Sequence, residues 1–391
     1  MSASNQAIKE EITPSIGDNS MHFLIERSAL LKALGHVQSV VERRGTIPVL
    51  GNIKLEAAGG QLTLTGTDMD VALTEKAACN VKADGAVTVP AHTFYDIVRK
   101  LADGAEVDIS DKDGSRVVIK CGQSKFNLAT LPVSDFPTMN DGEFSHEFSI
   151  ANAECKSLIE KPSYAMSTEE TRYYLNGIYL HAAESEGTDV LRTVATDGHR
   201  LARTEVSLPS GAKDLPGIII PRKTIQELRK IIESGEGEVT ISVSDTKIRF
   251  VYDDAVLTSK LIDGSFPDYE RVIPDGNEKM MEVECKAFST AVDRVSIITS
   301  ERSRAVKLAL GPNSLTVTAN SNEQGTATEE IKVSYSSDAI EIGFNSRYTL
   351  DMMTNIEGDT AQMFFNDAAS PVLVKDPADS GSLYVIMPMR V

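Results

Sequence analysis

One short stretch of the chain combines residue types that could carry out catalysis. It reads RTVATDGHRLA at 192–202 and places Thr196, Asp197 and His199 close together. A nucleophilic mechanism would also need a base within hydrogen-bond reach and an oxyanion site. Neither a serine elbow, nor a Gly-rich nucleophile turn, nor a second orienting acid accompanies the stretch. Catalysis is therefore a weak interpretation of these residues.

Two neighbouring carboxylates could ligate a metal. Asp68 and Asp70 end a predicted strand at TGTDMD, where acidic residues more often form a turn. The chain also has no G-x-x-x-x-G-K-[ST] phosphate loop, no dinucleotide fingerprint after a strand and no H-E-x-x-H pair. We therefore predict no enzyme activity, no metal and no cofactor.

Composition limits the class of protein. A length of 391 residues predicts two or three domains, and 41% hydrophobic residues suffice for that number of cores. No apolar run approaches the roughly 18 residues of a membrane span. Four cysteines lie far apart without a Cys-x-x-Cys pair, which argues against disulfides or a zinc site and favours the cytoplasm. Residues 1–20 are polar and turn-rich, and we predict a disordered N-terminal extension there.

The chain repeats itself three times. A strand that runs into a helix recurs at 23–34, 148–159 and 281–292. A second signature, a strand followed by a short helix, keeps similar spacing and reads TVPAHTFYDIVRKL at 88–101, IIPRKTIQELRKII at 219–232 and GFNSRYTLDMMTNI at 343–356. Three copies of one domain follow, each long enough to hold its own core. We predict domains at 21–146, 147–275 and 276–391.

Periodicity predicts the structure of each copy. Phe94, Ile97, Val98 and Leu101 have the spacing of a helix with one buried face, and Leu30, Leu34, Val37 and Val41 form a similar stripe. Many other segments alternate with a period of two, among them Val107 and Ile109 and also Leu315 and Val317, as expected for antiparallel strands with one face on a core. Each copy should therefore be α+β, with two helices packed on antiparallel sheets.

The charge of the chain is unevenly distributed. The net charge is −18, which by itself argues against binding nucleic acid. The six predicted helices, 27–44, 92–100, 153–161, 222–233, 286–307 and 346–357, nevertheless hold 18 Lys and Arg against 10 Asp and Glu. If the copies share one orientation, one face of the protein is basic and the opposite face is acidic.

Several motifs in register resemble one protein family. They read IPVLGNIKL at 47–55, RYYLNGIYL at 172–180, ATDGHRLA at 195–202, SKLIDGSFPDY at 259–269 and YVIMPMRV at 384–391. The chain from about residue 21 onward resembles the bacterial DNA polymerase III beta subunit, the replicative sliding clamp. The resemblance implies a ring-shaped, head-to-tail homodimer whose helices line a pore around duplex DNA. It implies a processivity factor, a non-catalytic subunit of the DNA-directed DNA polymerase holoenzyme.

The basic helices fit sequence-independent attraction to DNA phosphates. Candidate pore contacts are Lys32, Arg43, Arg44, Arg99, Lys100, Arg222, Lys223, Arg229 and Lys230, although each could be an ordinary solvated charge. The resemblance implies DNA contact for Arg44, Arg222 and Lys223 and for the pair Tyr173 and Tyr174, which could stack on unpaired bases or simply pack at a strand edge. Glu169 and Glu170 add negative charge beside this pair, which is a departure from the family.

The resemblance also implies a pocket between the second and third copies. Short linear motifs of the polymerase catalytic subunit, the clamp loader, other polymerases and repair proteins would bind there. The implied residues are Leu175, Thr196, Gly198, His199, Arg200, Leu201, Pro267, Arg271, Val272, Asn345, Tyr348, Val385, Met387, Pro388, Met389 and Arg390. Core packing explains the Leu and Val members equally well. The apolar residues of the terminal MPMRV are instead expected to form part of a binding surface.

Ring closure should join the first copy of one subunit to the third copy of its partner. The resemblance implies Phe126 and Leu128 on one side and Ile297 and Ile298 on the other, unless these residues are plain core.

Two other classes stay open at this stage. A monomeric peptide-binding scaffold would share the pocket without encircling DNA. A nucleotidyltransferase or nuclease would need clustered metal-binding carboxylates, which the sequence lacks.

Overall fold

The computed structural model of the chain describes residues 20–43, 45–111, 114–139, 142–233, 236–300 and 304–390. Residues 1–19 of the predicted disordered extension lie outside these ranges, and so does Arg44. The chain divides into two compact units after Met139.

The first unit holds the first copy. Its elements are β1 (His22–Glu26), α1 (Arg27–Val40), β2 (Asn52–Ala58), β3 (Gln61–Thr67), β4 (Val71–Ala78), β5 (Asn80–Ala83), β6 (Gly85–Pro90), α2 (Ala91–Lys100), β7 (Glu106–Asp111), β8 (Arg116–Cys121) and β9 (Ser124–Ala129). The strands form two antiparallel runs, β5-β1-β7-β8-β9 and β4-β3-β2-β6. Helices α1 and α2 contact each other.

The second unit holds the other two copies. The second copy consists of β10 (His146–Ala151), α3 (Asn152–Ser163), β11 (Gly177–Ser185), β12 (Thr188–Thr196), β13 (Arg200–Ser207), β14 (Ile218–Pro221), α4 (Arg222–Ile231), β15 (Glu238–Val243), β16 (Lys247–Tyr252) and β17 (Ala255–Lys260). The third consists of β18 (Lys279–Glu284), α5 (Cys285–Ser296), β19 (Ala305–Gly311), β20 (Ser314–Ser321), β21 (Gly325–Lys332), β22 (Ile340–Asn345), α6 (Ser346–Met353), β23 (Thr360–Phe365), β24 (Val372–Asp376) and β25 (Asp379–Ile386).

The predicted α+β architecture of three copies is confirmed. Each copy runs strand, helix, strands, and then repeats that order once. The residues predicted to alternate do bury one face, as Val107 and Ile109 do on β7 and Leu315 and Val317 on β20. Because the opposite residues of β7 and β20 stay more accessible, each of these strands has a core face and a solvent-accessible face.

One sheet joins the second and third copies. Its strand order is β14-β11-β12-β13-β25-β24-β23-β18, and β13 pairs antiparallel with β25, with Leu201 opposite Val385. The strand from the end of the chain therefore completes a sheet that begins in the middle copy. This junction places the two halves of the predicted pocket side by side.

Four predicted helices end earlier than expected. The largest error concerns 286–307, because α5 ends at Ser296 and residues 305–311 form β19. The buried residues Val306, Leu308 and Leu310 alternate with more accessible ones, which is a strand pattern that the helix prediction overlooked. Helix α1 ends at Val40, α4 at Ile231 and α6 at Met353, so Arg43, which was predicted to be helical, lies beyond the end of α1.

Gly66 allows α1 to lie close to β3. A Cβ atom at this position would be 2.7 Å from the carbonyl oxygen of Val37 and 2.9 Å from its Cγ1 atom. Because a backbone oxygen cannot move without the helix, only glycine fits here. The close approach buries Leu34 and Val37 of α1 completely.

No helix among the described residues is long and apolar enough to cross a membrane. All four cysteines are free thiols.

Candidate functional site

The string that first suggested catalysis forms a turn. The Asp197 carboxylate accepts hydrogen bonds from the backbone N–H groups of His199 (2.9 Å) and Arg200 (3.1 Å). The Thr196 hydroxyl donates to the carbonyl oxygen of Arg200 at 2.7 Å, and Gly198 adopts φ +87°. Asp197 therefore shapes the backbone rather than orienting an imidazole. Asp68 acts similarly, accepting from the N–H groups of Asp70 and Val71 at 2.9 and 2.7 Å.

Arg200 connects the second copy to the third. Its Nε donates to Asp197 at 3.1 Å, and its Nη1 donates to Asp351 of α6 at 2.7 Å. The guanidinium also lies 4.3 Å from the ring centroid of Tyr348 and 5.0 Å from that of Tyr164. With only 11% of its side chain exposed, Arg200 is held by both ion pairs and both rings. It fixes Tyr348 against the turn, where the His199 ring stacks on it.

A cavity of about 590 Å³ opens beside this network. Its walls include the predicted pocket residues His199, Arg200, Asn345 and Tyr348, together with Tyr164 from α3's C-terminal end. The Asn345 side-chain oxygen caps α6 by accepting from the N–H groups of Arg347 and Tyr348. Its side-chain amide nitrogen has no partner within the described ranges. We call this space the arginine cavity, because Arg222, Arg304 and Arg347 also line it.

An apolar cluster lies at the same junction. Five buried side chains form it, Val194, Leu201, Tyr269, Leu383 and Val385, and four partly buried ones pack against it, Tyr179, Phe266, Ile273 and Leu373. Tyr179 and Phe266 stack with ring centroids 4.8 Å apart. Leu201 and Val385 are thus core residues as well as predicted pocket residues. The segment 266–273 borders the cluster, and there Pro267, Arg271 and Val272 are exposed, with Val272 44% accessible.

The C-terminal segment crosses the junction. After β25, the N–H of Met387 donates to the carbonyl of His199 at 2.9 Å, and the N–H of Met389 donates to Gly343 at 2.8 Å. Met387 is 37% exposed, Pro388 and Met389 are half-buried and Arg390 is exposed. The chain end is therefore tied to both copies while leaving apolar surface accessible.

The structure brings together most of the predicted pocket. Leu175 is buried at the end of the 3-10 turn Glu170–Leu175, and its carbonyl accepts from the N–H of Ser167. Arg271 is exposed and pairs with Asp268 at 2.6 Å. Sequence reasoning missed Tyr164, Arg304, Arg347 and Asp351, because only the fold brings these separate segments to one cavity.

The predicted DNA contacts fall into two groups. Lys32, Arg43, Arg99, Lys100, Arg229 and Lys230 are exposed, whereas Arg222 and Lys223 are half-buried. Several exposed ones lie near a carboxylate, as Arg99 does with Asp96 (3.0 Å) and Arg229 with Glu160 (2.9 Å). Such exposed pairs contribute little to stability and can exchange for a phosphate. Arg44 lies outside the described residues.

The tyrosine pair lies on the Glu170–Leu175 turn. Tyr173 is 53% exposed, and its ring meets that of Tyr174 edge to face at 5.7 Å. Arg172 donates to Glu169 at 2.6 and 2.8 Å, and these hydrogen bonds hold the pKa of Glu169 below its ordinary value. Glu169 is therefore partly neutralised, whereas the exposed Glu170 retains its charge.

The predicted interface residues are accessible. Ile297, just after α5, is 75% exposed, and Ile298 is half-buried. Phe126 and Leu128 are half-buried on β9, the last strand of its sheet. None of the four is a fully buried core residue.

The charge split, meaning the excess of basic residues on the helices and of acidic residues elsewhere, persists with the observed helix bounds. The six helices hold 13 Lys and Arg against 6 Asp and Glu, in a chain of net charge −18. The shorter α1 and α5 lose cations and anions together, so the helices remain basic and the rest of the chain remains acidic.

A second ion-pair contact between the second and third copies, which we call the tie through Lys161, was not predicted from the sequence. Lys161 of α3 has 11% of its side chain exposed, and its Nζ contacts Asp379 at 2.6 Å and Glu357 at 2.8 Å. Lys161 follows Leu158 by three positions and so lies beside the apolar face of α3. This spacing is the only feature of the sequence that indicates burial of Lys161.

Comparisons with known proteins agree with this architecture. Models of the DNA polymerase III beta subunit match in three parts, the N-terminal domain at residues 21–140, the central domain at 149–268 and the C-terminal domain at 270–390. The beta sliding clamp of Caulobacter vibrioides strain NA1000 is 51% identical over 372 residues, covering 95% of this chain and 100% of the relative. That of Escherichia coli strain K12 is 40% identical over 374 residues, with the same coverage.

Solved structures agree as well. A crystal structure of the C. crescentus beta sliding clamp with PEG bound has a TM-score of 0.93 and 50% identity, covering 96% of this chain and 100% of that one. A sliding clamp of Bartonella birtlesii bound to griselimycin has a TM-score of 0.92 and 45% identity, covering 95% and 100%. The chain therefore belongs to the DNA polymerase III beta subunit family, the sliding clamps, and acts in replication as a non-catalytic processivity subunit.

The tie through Lys161 generates a prediction about stability and pH. In a double-mutant cycle of Lys161→Met and Asp379→Asn, urea unfolding at pH 7 should give a coupling free energy of about 1–3 kcal/mol, because both groups are largely buried. Burial opposes the charge of each group, but hydrogen bonding to its partners outweighs it, so the pKa of Lys161 is raised and that of Asp379 is lowered. Coupling should therefore be complete between roughly pH 4 and pH 10.

Below that range the coupling should fall as Asp379 protonates, and above it as Lys161 loses its proton. The exposed pair Lys307 and Glu341, 3.1 Å apart, is the matched control and should couple by less than about 1 kcal/mol. Equal coupling in the two cycles at pH 7 would show that the buried tie has no special role.

Proposed function

We propose that two copies of this chain close head to tail into a ring that encircles duplex DNA. The ring holds the replicative polymerase on its template. The observation that carries this proposal is the charge split, 13 basic against 6 acidic residues on the helices of an acidic chain. A threaded protein must attract phosphates without reading bases, since base contacts would arrest its movement. Basic helices around the pore and an acidic exterior meet both needs.

The proposed DNA contacts are the exposed cations of the first two copies. Lys32, Arg99, Lys100, Arg229 and Lys230 stand on helices, and Arg43 follows α1. Their attraction to phosphate is electrostatic and independent of sequence. Arg44, Arg222 and Lys223 belong to the same proposed set, supported by the family resemblance.

The tyrosine turn provides a second kind of contact. Tyr173 exposes half of its surface, and its edge-to-face partner Tyr174 supports it. Such a pair can stack on an unpaired base of any type at a primer end. Because Arg172 partly neutralises Glu169, Glu170 is the acidic residue that most opposes the approach of phosphate there.

Ring closure uses the first copy of one subunit and the third copy of the other. Strand β9 ends one sheet and β21 ends another, so each offers an edge for pairing. Phe126 and Leu128 lie on β9, and the highly exposed Ile297 and its neighbour Ile298 follow α5, which packs against β21. A heterologous contact of this kind closes when its rotation is right, and two subunits give six copies in the ring.

The groove at the junction of the second and third copies is the proposed binding site for short linear motifs of partner proteins. The apolar cluster around Leu201 and Val385 provides the floor, and Met387 and Met389 provide adaptable edges. Arg200, His199 and Asn345 supply polar contacts to the peptide backbone. The polymerase catalytic subunit, the clamp loader, other polymerases and repair proteins are the proposed occupants.

We also propose the domain limits 21–146, 147–275 and 276–391, with residues 1–20 as an extension. These limits include each family match whole, apart from the six residues between 270 and 275. A cytoplasmic location is proposed because four free cysteines suit a reducing compartment.

Retention on DNA tests the ring. The protein, loaded by its clamp loader on nicked circles that are then sealed, should stay bound through gel filtration in high salt. Cutting the circle once should release it, because threading rather than affinity holds it. Equal retention on linear and sealed circular DNA would contradict the proposal.

The variant Ile297→Glu tests the proposed interface of the dimer. A buried charge at the interface should convert the dimer to a monomer in sedimentation equilibrium and abolish retention on circles. Met280→Glu changes another exposed large apolar residue outside the proposed sites and should leave the dimer intact. A stable dimer of Ile297→Glu would remove this residue from the interface.

Deletion of Met387–Val391 tests the groove. It removes both backbone ties, Met387 to His199 and Met389 to Gly343, and the methionine edges. Binding of a polymerase-derived peptide, measured by fluorescence anisotropy, should fall by at least about tenfold, since it loses roughly 1.4 kcal/mol or more. The dimer should persist in sedimentation, and unchanged peptide affinity would move the site elsewhere.

A further inference from the structure

Among the described residues that line the arginine cavity, the guanidinium groups outnumber the carboxylates. Asp197 and Asp351 line it, and both pair with Arg200. Glu169 also lines it, and its partner is Arg172. The acids of the wall are therefore already engaged by two arginines.

Three other guanidinium groups share the cavity. Arg222 donates to the carbonyl oxygens of Met166 (2.7 Å) and Ser167 (2.8 Å), which leaves its charge without a carboxylate in those contacts. Arg304 and Arg347 form no ion pair with any residue that the structure describes. The unbalanced charge of the cavity is thus concentrated on its third-copy side.

Arg304 and Arg347 are held in place by their backbones. The N–H of Arg304 donates to the carbonyl of Ser300 at 3.0 Å, and its own carbonyl accepts from the N–H of Ser346 at 2.8 Å. Arg347 lies in the first turn of α6, capped by Asn345. Because both backbones are fixed, neither guanidinium must be ordered from a loose loop when a ligand binds.

A smaller cavity continues past the same arginines. It has a volume of about 410 Å³, and Arg304, Arg347 and Asp351 line both spaces. Its remaining wall is rich in hydroxyl groups, with Ser296, Thr299 and Ser346 among them. Guanidinium forks with hydroxyl donors match the oxygens of a carboxylate or phosphate.

Tyr164 adds a neutral group to the wall of the arginine cavity. Its hydroxyl is buried and has no hydrogen-bond partner in the described part of the chain. Burial raises the pKa of this phenol well above its usual value, so it remains protonated and can donate.

We propose that the arginine cavity is an oxyanion site that binds an acidic side chain of a partner peptide whose apolar residues occupy the neighbouring groove. This inference rests on the proposed function and adds a charge requirement to it. Three residues of the proposed groove, His199, Asn345 and Tyr348, line the cavity, so a peptide in the groove passes its mouth. Among the proposed DNA contacts that the structure describes, only Arg222 lines it, and that guanidinium donates to two carbonyl oxygens. A peptide carboxylate is therefore favoured over a DNA phosphate.

The test uses pairs of fluorescent decapeptides with a fixed Leu-Phe anchor. Within each pair one flanking position is Glu or Gln, and the pairs move this position along the peptide. For the full-length protein in buffer free of phosphate, at least one Glu peptide should bind about fivefold more tightly than its Gln twin. In Arg304→Gln/Arg347→Gln the ratio should fall to about one, while affinity for the Gln peptide is unchanged.

Lys286→Gln is the matched control for Arg347→Gln. Lys286 is an exposed cation of α5, outside both cavities, and it forms no ion pair within the described ranges. Its loss should leave the Glu preference intact, whereas Arg347→Gln should reduce it. Arg347→Lys should give an intermediate ratio, because it keeps the charge and loses the fork.

Each other outcome has a definite meaning. Anchored peptides that bind the wild type without any Glu preference, or with a preference that survives in the double variant, overturn the oxyanion site and leave the groove standing. Peptides that do not bind at all overturn the groove and this site together. A fluorescent oligothymidine that loses affinity in the double variant, without a Glu preference among peptides, assigns the cavity to nucleic acid and overturns the peptide assignment.

Discussion

The amphipathic helix pair of each copy is the constraint on which the rest of the molecule depends. One face of each helix must be buried on a sheet, so charge can be placed only on the other face. In α4, Ile225, Leu228 and Ile231 are buried, whereas Arg229 and Lys230 are exposed. Three repeats of this arrangement gather cations on helices while the strands and loops stay acidic. The same packing that stabilises each copy thus also provides a surface suited to DNA.

The junction between the second and third copies holds the groove that we propose as the binding site for partner peptides. Pairing of β13 with β25 places Leu201 opposite Val385, and two buried cations, Arg200 and Lys161, tie the copies through carboxylates of the third. A groove built this way depends on the relative position of the two copies. The buried ion pairs hold the copies in that position. The arginine cavity lies beside that groove, where unbalanced guanidinium groups can select among peptides that fill the same apolar floor.

Much of this organisation could be predicted from the sequence, because repetition and periodicity are local signals. The period-two strands at Val107 and Ile109 and the buried stripe of Leu30, Leu34 and Val37 are in place. The end of α5 was missed because the period-two spacing of Val306, Leu308 and Leu310, which is a strand pattern, was overlooked. Arg200, Lys161 and Arg304 show the limit more clearly. The partners of Arg200 and Lys161, Asp351 and Asp379, lie far away in sequence, and Arg304 forms no ion pair within the described ranges, so only the folded structure reveals which charges are balanced.

Threading retains the proposed ring on DNA, and the charge on the helices only eases its movement. The most direct measurement replaces the exposed Arg229 and Lys230 with Gln and follows loaded protein on sealed circles and free protein on linear DNA. We expect an unchanged half-life on sealed circles, together with weaker binding to linear DNA and a shallower salt dependence. A half-life on sealed circles that falls in parallel with the affinity for linear DNA would show that contact, not threading, retains the protein.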